Sequence, residues 1–329
     1  MDGDTGKGQE QQDRDEGQDW AATRAWVEKQ LGAGERIEAV ERLRGGWTSS
    51  MRRLRVAGPG GNGRDLVLRS FAKPFYVRHA PAMLAREADI LTMLGPTGVP
   101  AAEFHALDAS GEHCDHPSLL MTLLPGSVRL GEDGADRRAG LLARQLVRIH
   151  QVQVPEGGRP RAYQAWASPD HVRLPADTDR PEVWRRAVDV IRRDPPGHQG
   201  CFLHRDFHPG NVLFTNDADA TRISGVVDWV ETSWGPADLD VAHCCTALAL
   251  LHGPEAGMRF ADRYTAAGGR LSQDPAAHLY WRMLDALAFA PDAEKVGVPW
   301  RELGRTDLTG AVLARRLEVY LLALLHRYG

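Results

Sequence analysis

The feature that most constrains this chain is a block just past its middle, Cys201-Phe-Leu-His-Arg-Asp-Phe-His-Pro-Gly-Asn-Val-Leu-Phe214, followed by Arg222-Ile-Ser-Gly-Val-Val-Asp228-Trp229. An apolar run, 201–203, enters a polar loop holding His204, Asp206 and Asn211, and a second apolar run, 212–214, leaves it. Residues 215–221 are turn formers, so a hairpin centred near positions 219 and 220 is expected, with 223–227 as its return strand. That centre sets Asn211 opposite Asp228 in an antiparallel pair, with Cα atoms roughly 5 Å apart. An amide oxygen and a carboxylate so placed can share one Mg²⁺, which takes hard oxygen ligands. Asp206 is then left to accept a proton from an incoming hydroxyl. These roles together point to phosphoryl transfer.

Around this block the chain alternates in character. The residues at 20–31 have helical spacing, and strand-like runs follow at 37–43, 52–57 and 65–71. An amphipathic helix is expected at 83–94, an apolar strand at 118–124, and helices at 137–152 and 181–193. Strands return at 201–230, and the pattern is helical from 239 to 328. A small β-rich part followed by a larger helical part predicts an α+β fold with its joint near 121–126. The expected domains are 18–123 and 124–329. Residues 1–17 hold six acidic and two basic residues with almost nothing apolar, and are expected to form a disordered tail. Gly58–Gly63 satisfies G-x-G-x-x-G, but a strand follows it rather than a helix, so it reads as a hairpin turn and not a dinucleotide site.

Composition excludes several partners. The 329 residues carry 40 Lys+Arg against 44 Asp+Glu, so no long-range attraction for nucleic acid or an anionic membrane is expected. No stretch approaches the roughly 18 unbroken apolar residues of a membrane span, and the first residues show no basic region followed by an apolar one, so they are not expected to be a secretory signal. The four cysteines lack CxxC spacing, which fits reduced thiols and a cytoplasmic location.

The 201–229 block resembles the catalytic segment of the aminoglycoside phosphotransferase family, within the wider protein-kinase-like fold, which reads roughly HGDxHxxN and then a hydrophobic strand ending in Asp. The resemblance implies a two-lobed α+β architecture, with a small β-rich N-lobe and a larger, mainly helical C-lobe. It implies ATP and Mg²⁺ as cofactors and a small hydroxylated acceptor, antibiotic or metabolite. Asp206 becomes the catalytic base, His204 a brace for the loop, and Asn211 with Asp228 the metal ligands. Arg205 departs from the family's usual Gly. By the same resemblance Arg69 holds the nucleotide phosphates and is oriented by Glu87, with Lys73 as the fallback. Residues 45–51, with Ser49 and Ser50, form the loop covering the nucleotide, and 118–124, with Thr122 and Leu123, hold the adenine through backbone hydrogen bonds. Asp240 is expected to anchor the catalytic loop, while His150, His243 and His252 are expected to pack or lie at the surface. The segment from Cys245 onward holds nine acidic and ten basic residues, a balance that does not favour a highly cationic acceptor. A metal-hydrolase reading of His204, Asp206 and His208 leaves Asn211 and Asp228 without a role. A catalytically inactive kinase-like binding protein is the remaining alternative.

Overall fold

The computed structural model describes residues 20–43, 49–217 and 220–329, and the chain divides into two compact units. Of the described residues, the first comprises those up to Gly95 together with Ala102–Leu123; the second comprises Pro96–Ala101 and those from Leu124 to Gly329. The expected acidic tail at 1–17 and residues 45–48 of the expected nucleotide loop lie outside the described residues.

The first unit is a five-stranded antiparallel sheet with helices α1 (Ala21–Gln30), α2 (Pro74–Val77) and α3 (Ala80–Leu94). Its strands are β1 (Arg36–Leu43), β2 (Ser50–Ala57), β3 (Gly63–Ser70), β4 (Phe104–Asp108) and β5 (Ser118–Thr122), in the order β1-β2-β3-β5-β4. Alternation along β2 and β3 buries Leu54, Val56, Leu66 and Leu68 in one cluster with Trp26 and Val27 of α1 and Leu120 of β5. The β2–β3 turn runs through Pro59–Gly61, where Gly60 and Gly61 take φ of 75° and 82°, so the glycine-rich motif is a hairpin turn. Strand β4 was not expected from the sequence. Its five residues mix polar and apolar side chains, and Asp108 holds its end by accepting the backbone N–H groups of Gly111, Glu112, His113 and Cys114.

The second unit is mainly helical. Strand β6 (Ser127–Val128) is followed by α4 (Ala135–His150) and α5 (Pro181–Ile191), then β7 (Gly200–Leu203), β8 (Val212–Asp217), β9 (Ala220–Val226) and β10 (Ser233–Pro236). Helices α6 (Ala237–His252), α7 (Pro254–Ala266), α8 (Pro275–Leu287), α9 (Glu294–Glu302) and α10 (Gly310–Tyr328) complete it. Strands β6, β8 and β9 form one small sheet and β7 with β10 another. Helix α6 is apolar on nearly every face and buried from Leu239 to Leu251, which makes it the unit's central helix. Trp281, Phe289 and Trp300 are all buried, so none forms an open apolar wall.

The hairpin β8–β9 forms, but in a different register from the expected one. Asp217 pairs with Ala220, so the pairing there is centred one position before the expected centre between 219 and 220. An extra residue on β9 near Ser224 recovers half of that difference, and Val212 pairs with Val226. The N–H of Val227 donates to the Asn211 carbonyl at 3.0 Å, so Asn211 lies opposite Val227 and Asp228 is one residue beyond the pair. Asp228 has φ of 65°, so its backbone has already left the strand.

Candidate active site

The loop from β7 to β8 is held from below by one carboxylate. Asp240, fully buried on the first turn of α6, accepts the backbone N–H of His204 and of Arg205, both at 2.8 Å, and lies 3.2 Å from His150 Nε2. His150 Nδ1 meets the Tyr264 hydroxyl at 2.7 Å. Burial raises the Asp240 pKa, but the His150 hydrogen bond and the charges nearby outweigh it, and the group stays low. Between these anchors Arg205 takes φ of 73°, a left-handed conformation in which only Gly is unstrained. That is a physical reason for Gly at the corresponding place in the related motif. Here Arg205 is buried, donates Nη2 to the Gln164 carbonyl at 3.1 Å, and stacks 4.3 Å from the Trp166 ring centroid.

His204 is fully buried and its tautomer follows from its partners. Nε2 lies 3.1 Å from the Val227 carbonyl, which can only accept, so Nε2 carries the proton. Nδ1 then accepts the Asp206 N–H at 3.2 Å. Burial pushes the His204 pKa down, consistent with a neutral brace linking the loop to the return strand of the hairpin.

The Asp206 carboxylate has partners on both oxygens. Asn211 Nδ2 donates to Oδ2 at 2.8 Å and to the Asp206 carbonyl at 2.9 Å. His243 Nε2 lies 3.0 Å from Oδ1, and its Nδ1 lies 2.9 Å from Asp285 Oδ1. Burial lowers the His243 pKa, but the two carboxylates more than compensate and raise it to about 9. Burial likewise raises the Asp206 pKa, and the His243 hydrogen bond followed by the charges of the nearby imidazoles brings it well below the ordinary carboxylate range. His208 is pushed down to about 4 by burial and is neutral at pH 7, so His243 carries most of this effect.

Ligand atoms of Asp206, His208 and His243 lie within 4.8 Å of one another. His208 Nδ1 accepts the Gly210 N–H at 3.0 Å, however, so Nε2 holds the proton; it lies 3.9 Å from Asp206 Oδ1, too far for a hydrogen bond. A transition metal would need a lone pair there. The two histidines therefore turn N–H groups toward the Asp206 carboxylate, and only His243 is close enough to hydrogen-bond it. The hard-oxygen set suited to Mg²⁺ is different: both Asn211 contacts use its Nδ2, leaving Oδ1 as acceptor, and Asp228 follows the hairpin by one residue.

In the first unit, Arg69 and Glu87 are both buried. Arg69 Nη1 meets both Glu87 carboxylate oxygens at 2.9 Å, and its Nε donates to Ser49 Oγ at 3.1 Å. Lys73 is exposed at the start of α2. Ser50 begins β2, paired with Ser70. The Thr122 N–H donates to Glu103 O at 3.0 Å and the Leu123 N–H to Asp65 O at 3.2 Å, so both amide protons have backbone partners within the first unit.

Sequence reasoning missed His243, Asp285 and Trp166. His243 reads as one more residue of an apolar helix, although it follows Asp240 by three positions and so shares its face of α6. Asp285 lies in a separate helix 42 positions away, beyond any local pattern. Trp166 is 36% exposed within an irregular segment, edge-on to His243 with centroids 5.2 Å apart.

The sequence pattern of the phosphotransferase enzyme family matches residues 39–281. No curated protein matches the chain. Among solved structures, that of an aminoglycoside 2'-phosphotransferase-IIIa in complex with GDP is 16% identical, with a TM-score of 0.59 over 89% of this chain and 94% of that one. A macrolide 2'-phosphotransferase type I is 20% identical, with a TM-score of 0.57 over 91% and 95%. A macrolide 2'-phosphotransferase from Brachybacterium faecium is 17% identical, with a TM-score of 0.52 over 90% and 97%. At these identities the likeness is one of fold, the kinase-like α+β architecture. No helix among the described residues is long and apolar enough to cross a membrane.

Proposed function

Because the chain belongs to the phosphotransferase enzyme family and is a small-molecule kinase, we propose that it moves the γ-phosphate of ATP to a hydroxyl of a small molecule, with Asp206 orienting that hydroxyl. The observation that carries this reading is the hydrogen bonding of Asp206. Its Oδ2 accepts from Asn211 and its Oδ1 faces His243, so the carboxylate is fixed in direction while its side chain stays 31% exposed.

A low pKa makes Asp206 a weak base, and phosphoryl transfer tolerates that. Its transition state is loose and places little demand on early proton removal, so aiming the hydroxyl matters more than deprotonating it. The Asp206 carboxylate accepts the hydroxyl's hydrogen bond and takes the proton as the new O–P bond forms. His204 and Asp240 keep the loop at the height this requires. Asn211 Oδ1 and the Asp228 carboxylate would hold Mg²⁺, whose chemistry is to neutralise charge on the phosphates. In the first unit Arg69, kept in place by Glu87 and Ser49, offers its guanidinium to the phosphates. The acceptor is a hydroxylated small molecule, with antibiotics of the kinds named for the related structures among the candidates.

The test is ADP release from Mg·ATP across a panel of hydroxylated antibiotics and metabolites. Asp206→Ala is expected to lower kcat by roughly 10²–10⁴ with nucleotide binding retained. Asp228→Ala is expected to abolish turnover at ordinary Mg²⁺ concentrations. Undiminished turnover in Asp206→Ala removes it from the reaction, and activity surviving in Asp228→Ala overturns the metal assignment.

A further inference from the structure

We propose that His243 and Asp285 form a positioning chain, Asp285–His243–Asp206, that aims the Asp206 carboxylate at the acceptor hydroxyl; this rests on the function proposed above. The chain joins two helices to the catalytic loop. His243 projects from α6, one turn past the Asp240 that anchors the same loop, and Asp285 projects from α8. The contacts are 3.0 Å and 2.9 Å, each between an imidazole nitrogen and a carboxylate oxygen.

The surroundings leave His243 little freedom. Its side chain is 4% exposed and that of Asp285 1%. Phe289 stacks on the imidazole with centroids 5.7 Å apart, and Trp166 meets its edge at 5.2 Å. The ring therefore cannot swing away without breaking the core of the unit. A carboxylate one-third open to solvent would otherwise sample several rotamers, since its Cα–Cβ bond turns freely on a surface loop. Asn211 restrains one oxygen from the loop itself, and His243 restrains the other from the helical core. Two supports of different origin define the carboxylate plane as well as its direction. Misplacing a reacting group by about 1 Å can cost a rate factor of roughly 10². The second Asp285 oxygen, Oδ2, is buried with no hydrogen-bond partner among the described residues.

The experiment is a double-mutant cycle on ADP release from Mg·ATP, using the panel acceptor that stimulates it most, or water if none does. His243→Phe keeps the ring stack and removes both nitrogens. It is expected to lower kcat roughly 10- to 100-fold with KM for ATP unchanged. His243→Gln, whose amide N–H can reach Asp206, is expected to recover part of that loss. Asp285→Asn is expected to lower kcat by a smaller factor, and serves if His243→Phe does not fold. In an Asp206→Ala background each of these substitutions is expected to have no further effect on kcat, because a support without its carboxylate supports nothing. A merely structural role predicts the same fold-loss in both backgrounds, and that result overturns the proposal. If Asp206→Ala is inactive while His243→Phe and Asp285→Asn keep full kcat, the positioning chain falls and the proposed function stands. If wild-type protein releases no ADP under any condition, the function falls and the chain falls with it.

Discussion

Glu87→Gln isolates the buried ion pair of the first unit. The Arg69 and Glu87 side chains are 6% and 3% exposed, and both carboxylate oxygens lie 2.9 Å from Arg69 Nη1. Gln keeps the volume but removes the charge and turns an NH₂ group toward a guanidinium. Removing one partner of a buried pair costs about 3–5 kcal/mol, because the remaining charge stays buried. At roughly 2–4 °C per kcal/mol for a chain of this size, the melting temperature should fall by about 6–20 °C. The same change loosens Arg69, and KM for ATP should rise about tenfold while kcat changes little. Arg69→Met/Glu87→Leu separates the two effects. Replacing the whole pair by apolar groups is often neutral for stability, so this double variant should melt near wild type yet still bind ATP poorly. Differential scanning calorimetry and ATP titration of turnover measure both. A Glu87→Gln protein that melts within a degree of wild type refutes the energetic reasoning. A double variant with a wild-type KM for ATP shows that Arg69 serves the fold alone.

Three further outcomes are expected. His243 is raised from its ordinary 6.5 to about 9, so its contribution to stability, at most about 3 kcal/mol, is fully present below pH 6.5 and is lost as pH rises through 9; denaturant unfolding of wild type should weaken over that window, and His243→Gln should flatten the profile. A Cβ at Gly210 would sit 2.6 Å from His208 Cε1 and 3.0 Å from Nδ1, so Gly210→Ala should displace the ring, lower kcat several-fold and leave KM for ATP unchanged; a wild-type kcat would show that His208 is not needed in place. Trp166→Ala removes the half-exposed ring beside His243 and should raise KM for the acceptor more than KM for ATP, with equal effects on both refuting an acceptor-side role.

Which parts of this protein could be read from its sequence follows from the range of the interactions involved. Motif residues close in sequence were legible. His204, Asp206 and Asn211 are bound to one another within one short loop, and the Asn211–Asp206 contact spans five positions. Arg69 and Glu87 were legible only through the family resemblance, and the structure joins them across 18 positions. The register of β8–β9 was not, because it depends on the Asp217–Ala220 pairing and an added residue near Ser224, neither of which period-two patterning reveals. The partners of the Thr122 and Leu123 amide protons were not legible either, because the carbonyls of Glu103 and Asp65 that accept them lie far away in sequence. His243 was hidden for a different reason. On a helix buried all round, a histidine looks like packing, and only the fold brings Asp206 and Asp285 to its two nitrogens.

The catalytic loop carries its strain because its supports outnumber its freedoms. Arg205 and Asp228 both hold positive φ without being Gly, at a cost of about 1–3 kcal/mol each. Against this stand the two backbone N–H bonds to Asp240, the His204 bridge from Asp206 N to Val227 O, and the Asn211 bonds to Asp206. Each of these bonds contributes on the order of 1 kcal/mol, more where the acceptor is ionised. Their sum exceeds the strain, and every one of them converges on residues 204–211 or on the strand end beside them. Asp240→Asn tests this directly. The amide can accept only one of the two N–H bonds and presents an NH₂ group to the other, so the left-handed Arg205 loses the support that offsets its strain. In that variant the loop should relax, with amide exchange at His204 and Arg205 accelerating while exchange in the first unit's sheet stays unchanged. Unchanged protection at both positions would mean that the strain is borne elsewhere, and that Asp240 serves α6 rather than the loop.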